Sequence, residues 1–260
     1  MIFIPPAARK FYEDHYESFL PLRSGTELVS SDLNETEFLF IGFTNRCGSN
    51  FLAEALASGG SLNVASEFLN EQEIISNPEF EKETFNLCEY FSGVSLNDMK
   101  DGLFALKSSI EHFVLLGVSG IISELLSRSH FVHVERSDKI SQAISYVIAS
   151  QKGQWASYQD AVKSEANFDF GEIHNAASII AEKNRLLEEF YEKNDIKPLR
   201  LVYEDFENFP AAAVEKVSHY IGRQIAFDQT AIRTHRQSDQ QNLLWRERYV
   251  DMIRADLERI

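Results

Sequence analysis

The segment Phe38–Asn50, FLFIGFTNRCGSN, constrains the fold more than any other. Apolar residues interrupted only by Gly42 run into a short polar loop, and the loop runs into Ser49–Leu56, which suits a helix. A continuous apolar run marks a strand buried on both faces, as in a parallel sheet covered by helices. A strand, a glycine-containing loop and a helix start together make an anion site. The first amides of a helix lack intrahelical partners, and the helix dipole favours negative charge there. Arg46 stands in this loop, where a guanidinium forks onto phosphate or sulfate oxygens. The plainer alternative is an ordinary βα turn with a surface arginine.

Two better-known loops do not fit. A Walker A loop needs G-x-x-x-x-G-K-[ST]. Here five residues separate Gly42 from Gly48, and Ser49 follows where the lysine belongs, which argues against a nucleotide triphosphatase. A cysteine phosphatase loop would place an arginine six residues after Cys47, a position held by Ala53.

At 260 residues the chain can bury the core of one α/β domain, residues 1–260, with insertions. No apolar run approaches the roughly 20 residues that span a bilayer. The start, MIFIPPAARKFYEDHY, lacks the basic region, apolar core and cleavage site of a signal peptide. Two cysteines, Cys47 and Cys88, build no disulfide framework, and no Cys/His cluster suggests a metal. These features predict a reduced, cytoplasmic enzyme without a membrane span. The formal charge of −15 argues against nonspecific nucleic-acid binding, though a pocket can still be locally basic.

Further strands are expected at 102–108, 130–135 and 199–203, and helices at 110–126, 138–151, 173–193, 214–221 and 240–257. The stretch 70–93, rich in Asn, Glu and Phe, reads as irregular helices, and about 70–100 as a lid or acceptor-site insertion. Alternating strands and helices predict a three-layer fold, a parallel sheet flanked by helices on both faces. Ligands of such sheets bind at the carboxyl ends of the strands, which gathers the loops 43–49, 107–110 and 136–138. Arg136 ends the third strand, and Ser141 and Ser145 share a face of the helix that follows. Arg136 and one of these hydroxyls could hold a second phosphate. A loop arginine beside two ordinary helix serines is the alternative.

RCGSNFL after the first strand, the E-x-F element at Glu67–Leu69 and VERSDKISQAISYVIASQKGQW at Val134–Trp155 together resemble a sulfotransferase. The pattern is similar to the bacterial trehalose 2-sulfotransferase-like family. That family carries an R-S-G-S-T-L-L loop, a later glutamate before an aromatic pair and an R-P-D-x-x-S-Q-A-x-S-x-W-x-A-x-Q-T helix. LVYEDF at Leu201–Phe206, RQSD at Arg236–Asp239 and WRERY at Trp245–Tyr249 extend the match. The resemblance implies a P-loop NTPase-like sulfotransferase fold and 3′-phosphoadenosine 5′-phosphosulfate (PAPS) as sulfuryl donor. The strand–loop–helix at about 36–58 would hold the phosphosulfate through Arg46, Cys47, Gly48, Ser49 and Asn50. Arg136 with Ser145, or Ser141, would hold the 3′-phosphate, and Arg236 would close over the nucleotide.

On this resemblance Glu67 is the base that takes the acceptor's hydroxyl proton, and Arg46 helps to stabilise the transferring group. Phe68, Lys107 and Trp155 line the acceptor or nucleotide side; a structural lysine and a core tryptophan are the alternatives for the last two. The acceptor would be a hydroxyl of a carbohydrate or glycoconjugate, with no metal required, and the family implies a homodimer. The loop reads C-G-S-N where the family has S-G-S-T, and Asn63–Ser66 differs from the usual approach to the glutamate. The word trehalose therefore does not transfer with the fold. Cys47 is expected to act as a small serine-like residue and not as a nucleophile. Two rival readings are a P-loop-like small-molecule kinase and a catalytically inactive nucleotide-binding protein of the same fold.

Overall fold

The apolar run of the signature segment forms strand β1 (Glu37–Phe43), buried on both faces from Phe38 onward. The structure is a computed structural model and describes residues 2–16, 33–65, 67–77, 86–155, 162, 165–234 and 240–258. Helix α1 (Pro6–His15) precedes β1, and α2 (Ser49–Ala57) and the two-residue strand β2 (Val64–Ala65) follow it. Next come α3 (Glu71–Ser76), α4 (Leu87–Asp98), β3 (Leu103–Ser108), α5 (Ile110–Val118) and α6 (Ile121–Leu125). β4 (Ser129–Glu135), α7 (Lys139–Lys152), α8 (Phe170–Lys193) and β5 (Leu199–Val202) continue the alternation. The short α9 (Tyr203–Phe206), α10 (Pro210–Ile221) and α11 (Gln240–Leu257) complete it.

Among the described residues the strands form one sheet, in the order β2-β3-β1-β4-β5, and every pairing is parallel. The expected three-layer fold is therefore present. Strand residues alternate between two cores, as the two-residue pleat period requires. Phe38, Phe40, Phe104, Leu106 and Phe131 face α1, α4, α5, α6 and the second half of α8. Leu39, Ile41, Ala105, Val132 and Val134 face α2 and α10. A third cluster joins α7, α8 and α11 through Ile144, Val147, Ile173, Trp245 and Tyr249.

Three local differences from the sequence reading have simple causes. The single helix expected over 110–126 is broken at Gly120, whose φ of 85° is left-handed, and the two pieces meet at 91°. Both pieces are core helices, and among the described residues no single helix is long and apolar enough to cross a membrane. β2 has too few residues to show a period. In the stretch read as irregular helices, α4 buries Phe91 against Phe38 and Phe104.

The register aligns the strand ends. Gly42 lies opposite Ser108 of β3 and His133 of β4, so the chain leaves all three strands at one edge. From there α2 turns to one face of the sheet, while α5 turns to the other. Open α/β sheets bind ligands where successive helices diverge in this way, at the carboxyl ends of the strands.

Candidate active site

The loop between β1 and α2 is shaped by backbone geometry. Gly48 is the N-cap of α2 at φ 96°, and it offers no side-chain cap to the helix. Arg46 also takes a positive φ, of 65°. The Tyr203 ring packs on Gly48 so closely that a Cβ there would lie 2.2 Å from Cδ2. Cys47 is fully buried, and burial pushes its thiol up, which suits a space-filling residue and not a thiolate nucleophile. Gln142 of α7 holds the loop from the far side, donating to Thr44 Oγ1 at 3.0 Å and to the Asn45 carbonyl at 2.8 Å.

Two arginines converge beside this loop. Arg46 Nε donates to Ser145 Oγ at 3.0 Å, and one of its terminal nitrogens donates to the Trp155 carbonyl at 2.6 Å. Arg136 donates to the Arg46 carbonyl at 3.4 Å, and its guanidinium lies 5.5 Å from the Tyr203 ring centre. Burial, and then the like charge of Arg136, bring the Arg46 pKa below its ordinary value. Arg136 Nε is buried without a hydrogen bond; Glu204 Oε1 stands 3.7 Å away. Two mutually repelling guanidiniums and an orphaned donor fit a bound anion, which would relieve both costs.

On the other side of the loop, Lys107 at the end of β3 is buried and bonds Glu67 Oε1 at 2.6 Å. It also bonds Asn50 Oδ1, in the first turn of α2, and stands 4.6 Å over the Phe43 ring. The lysine thus ties the glutamate to the loop after β1. Asn70 donates to Glu67 Oε2 at 3.0 Å. Burial would raise the Glu67 carboxyl, but the charge and hydrogen bond of Lys107, with Asn70, hold it below the usual range. Glu67 is therefore ionised at neutral pH and able to accept a proton.

The structure brings Arg46, Cys47, Gly48, Ser49, Asn50, Glu67, Lys107, Arg136 and Ser145 to one edge of the sheet. Ser141 is engaged elsewhere: its hydroxyl donates to Asp138 Oδ2 at 2.7 Å, which also receives Arg246 Nε at 3.1 Å. Phe68 packs its ring among Tyr90, Phe91 and Phe104 and so anchors the segment that carries Glu67. Trp155 is 39% exposed and meets Tyr146 edge-on, so it is not a core tryptophan. Arg236 lies outside the described residues. The chain leading to it is fastened to α2, where Glu54 accepts from the backbone amides of Arg233 and Thr234 at 2.9 and 2.6 Å.

Four site residues escape sequence reasoning: Asn70, Gln142, Glu204 and Arg246. Glu204 accepts from the Ser137 and Asp138 amides at 2.9 and 3.3 Å, capping the start of α7 beside Arg136. Its signal was present in LVYEDF, and that of Arg246 in WRERY, but neither motif states a partner. Among the described residues one His/carboxylate group has metal-like spacing, His133, Glu135 and Glu188. Arg200 already bonds both of its carboxylates.

The family model of the Stf0 sulphotransferases matches residues 93–252, more than half of the chain. The chain belongs to the Stf0 sulphotransferase family. It is accordingly a transferase of sulfuryl groups. The match takes in β3, β4, α7 and most of α11, and the loop after β1 and Glu67 precede it. No curated protein matches the chain significantly.

Proposed function

We propose that this Stf0 sulfotransferase takes its sulfuryl group from PAPS and delivers it to a hydroxyl of a carbohydrate or glycoconjugate. What supports the reading is that two candidate anion positions lie side by side at the carboxyl end of β1. The loop 44–49 at the start of α2 provides one, and the Arg46–Arg136–Ser145 corner the other. A donor with phosphate groups at both ends of a ribose matches that pairing. PAPS supplies an activated sulfuryl group whose leaving group is a phosphate.

The chain's own residues then divide the work. The loop amides and the dipole of α2 hold the leaving end. Ser145 and Arg136 grip the 3′-phosphate; Arg46, expected from the sequence at the transferring group, reaches Ser145 instead and so links that corner to the loop. Because Ser141 is committed to Asp138, Ser145 is the better phosphate partner. Lys107 lies between the loop and Glu67, where its charge can balance negative charge growing on the leaving oxygen. Glu67, ionised and adjacent, takes the acceptor's hydroxyl proton as the new S–O bond forms. The sugar hydroxyl is the acceptor class that the family resemblance implies.

The test is sulfuryl transfer from PAPS to a panel of mono- and disaccharides, with non-sugar alcohols as controls. Glu67→Gln should lower turnover by at least about 10²-fold while affinity for 3′-phosphoadenosine 5′-phosphate (PAP) stays unchanged. Full turnover by that variant would remove Glu67 as the base. Sulfation of the non-sugar alcohols alone would remove the carbohydrate acceptor.

A further inference from the structure

The hydrogen bonds behind Glu67 continue into the core. Asn70 Oδ1 lies 2.8 Å from His112 Nε2, and His112 Nδ1 lies 3.3 Å from the Ser109 amide nitrogen. His112 occupies the third position of α5 and is fully buried. A backbone amide can only donate, so Nδ1 must accept and the ring proton resides on Nε2. Nε2 then donates to Asn70 Oδ1, which turns the Asn70 amide group toward Glu67. The Lys107 backbone carbonyl also lies within hydrogen-bonding reach of the ring.

We propose that His112 and Asn70 are positioning residues that hold Glu67 in its proton-accepting orientation, His112 by fixing Asn70 and Asn70 by donating to Oε2. The inference rests on Glu67 being the base. Lys107 binds the other oxygen of the carboxylate, so the two donors leave it little rotational freedom. The segment is fastened from outside as well. Tyr16 Oη donates to the Leu69 carbonyl at 3.0 Å, and Tyr90 Oη to the Phe68 carbonyl at 2.8 Å.

The charged groups facing this network are few. Lys107 of β3 and His112 of α5 face Glu67, while Glu111 beside His112 is paired with Lys183 of α8. Burial lowers the His112 pKa, and protonation of Nδ1 would set it against the Ser109 amide, so both favour the neutral ring. A neutral donor strengthens no charge of its own. It fixes geometry and modestly favours the ionised carboxylate.

The experiment compares Asn70→Ala, Asn70→Asp, His112→Ala and His112→Gln for kcat, the pH profile of kcat/KM, PAP affinity and melting temperature. Asn70→Ala should lower kcat by about tenfold and move the acid limb to higher pH, with PAP affinity unchanged. Asn70→Asp, nearly isosteric, sets a carboxylate against Glu67 and should move the limb further in the same direction. His112→Gln restores a donor near Nε2 and should recover part of the kcat that His112→Ala loses. A wild-type acid limb in folded Asn70→Asp, while Glu67→Gln is inactive, would overturn the positioning role alone. Full activity in Glu67→Gln would overturn the base assignment and the positioning role with it.

Discussion

Gly48→Ala probes whether the anion loop is held by close packing on Tyr203. Two costs add at this position. A φ of 96° is left-handed, and a residue with a Cβ loses roughly 1–2 kcal/mol there. The new Cβ would also stand 2.2 Å from Tyr203 Cδ2 and 2.9 Å from Cε2, so the ring must move. That ring cannot shift freely, because it packs edge-on to Phe206 at 5.8 Å and has Arg136 5.5 Å away. Overpacking of this kind costs about 1–3 kcal/mol, which gives roughly 2–5 kcal/mol in all. Gly60 provides the control: its φ is 73°, yet a Cβ there meets nothing within 4 Å. Urea unfolding should therefore show a loss of about 1–2 kcal/mol for Gly60→Ala and a clearly larger one for Gly48→Ala. PAP titration should show wild-type affinity for Gly60→Ala and at least about a tenfold loss for Gly48→Ala, because the displaced ring disturbs Arg136. If Gly48→Ala were no worse than Gly60→Ala in both assays, packing of Tyr203 on the loop would not matter.

Other perturbations are as specific. Lys107→Met removes both the charge and the hydrogen bond that, together with Asn70, offset burial at Glu67, so the Glu67 pKa should rise, and the acid limb of kcat/KM should move to higher pH with a lower kcat. A limb that stays in place would show that Lys107 does not set the basicity of Glu67. Glu188 is held down to about 2, first by His133 and then by Arg200. Its stabilisation is present above the unfolded carboxyl's pKa and is lost as pH falls toward the folded one. Glu188→Gln should therefore lose less melting temperature than wild type between about pH 5 and about pH 3, and equal losses would contradict this. Cys47→Ser should keep wild-type turnover, and a thiol reagent should label half-buried Cys88 before buried Cys47. A loss of turnover as large as that of Glu67→Gln would restore Cys47 as a nucleophile.

The sequence made the frame of the site legible because that frame is written in local patterns. The apolar run of β1, the glycine at 48 and the amphipathic α7 that follows Arg136 each state their structure within a few residues. Parallel pairing then forces the loops after β1, β3 and β4 to one edge, so Arg46, Lys107 and Arg136 could be grouped before any contact was known. Glu67 is different, because no local pattern separates it from the chain's other acids; only the family resemblance picked it out. The residues that orient these groups were less legible still. Asn70 and His112 lie 42 positions apart and meet only because α5 packs beside the segment after β2. Glu204 and Arg246 reach the start of α7 from α9 and α11, and hydrophobic periodicity says nothing about such polar contacts. Gly120 shows the same limit within one element, since an apolar run with two glycines, Gly117 and Gly120, does not announce a 91° turn at the second.

The most direct measurement is calorimetric titration with PAP, with ATP plus Mg²⁺ as the comparison. The account predicts tight PAP binding without added metal, weak or absent binding of ATP, and loss of the PAP signal in Arg136→Ala. Preference for ATP with Mg²⁺, or PAP affinity indifferent to Arg136, would contradict the assignment of a PAPS donor site to the Arg46–Arg136–Ser145 corner.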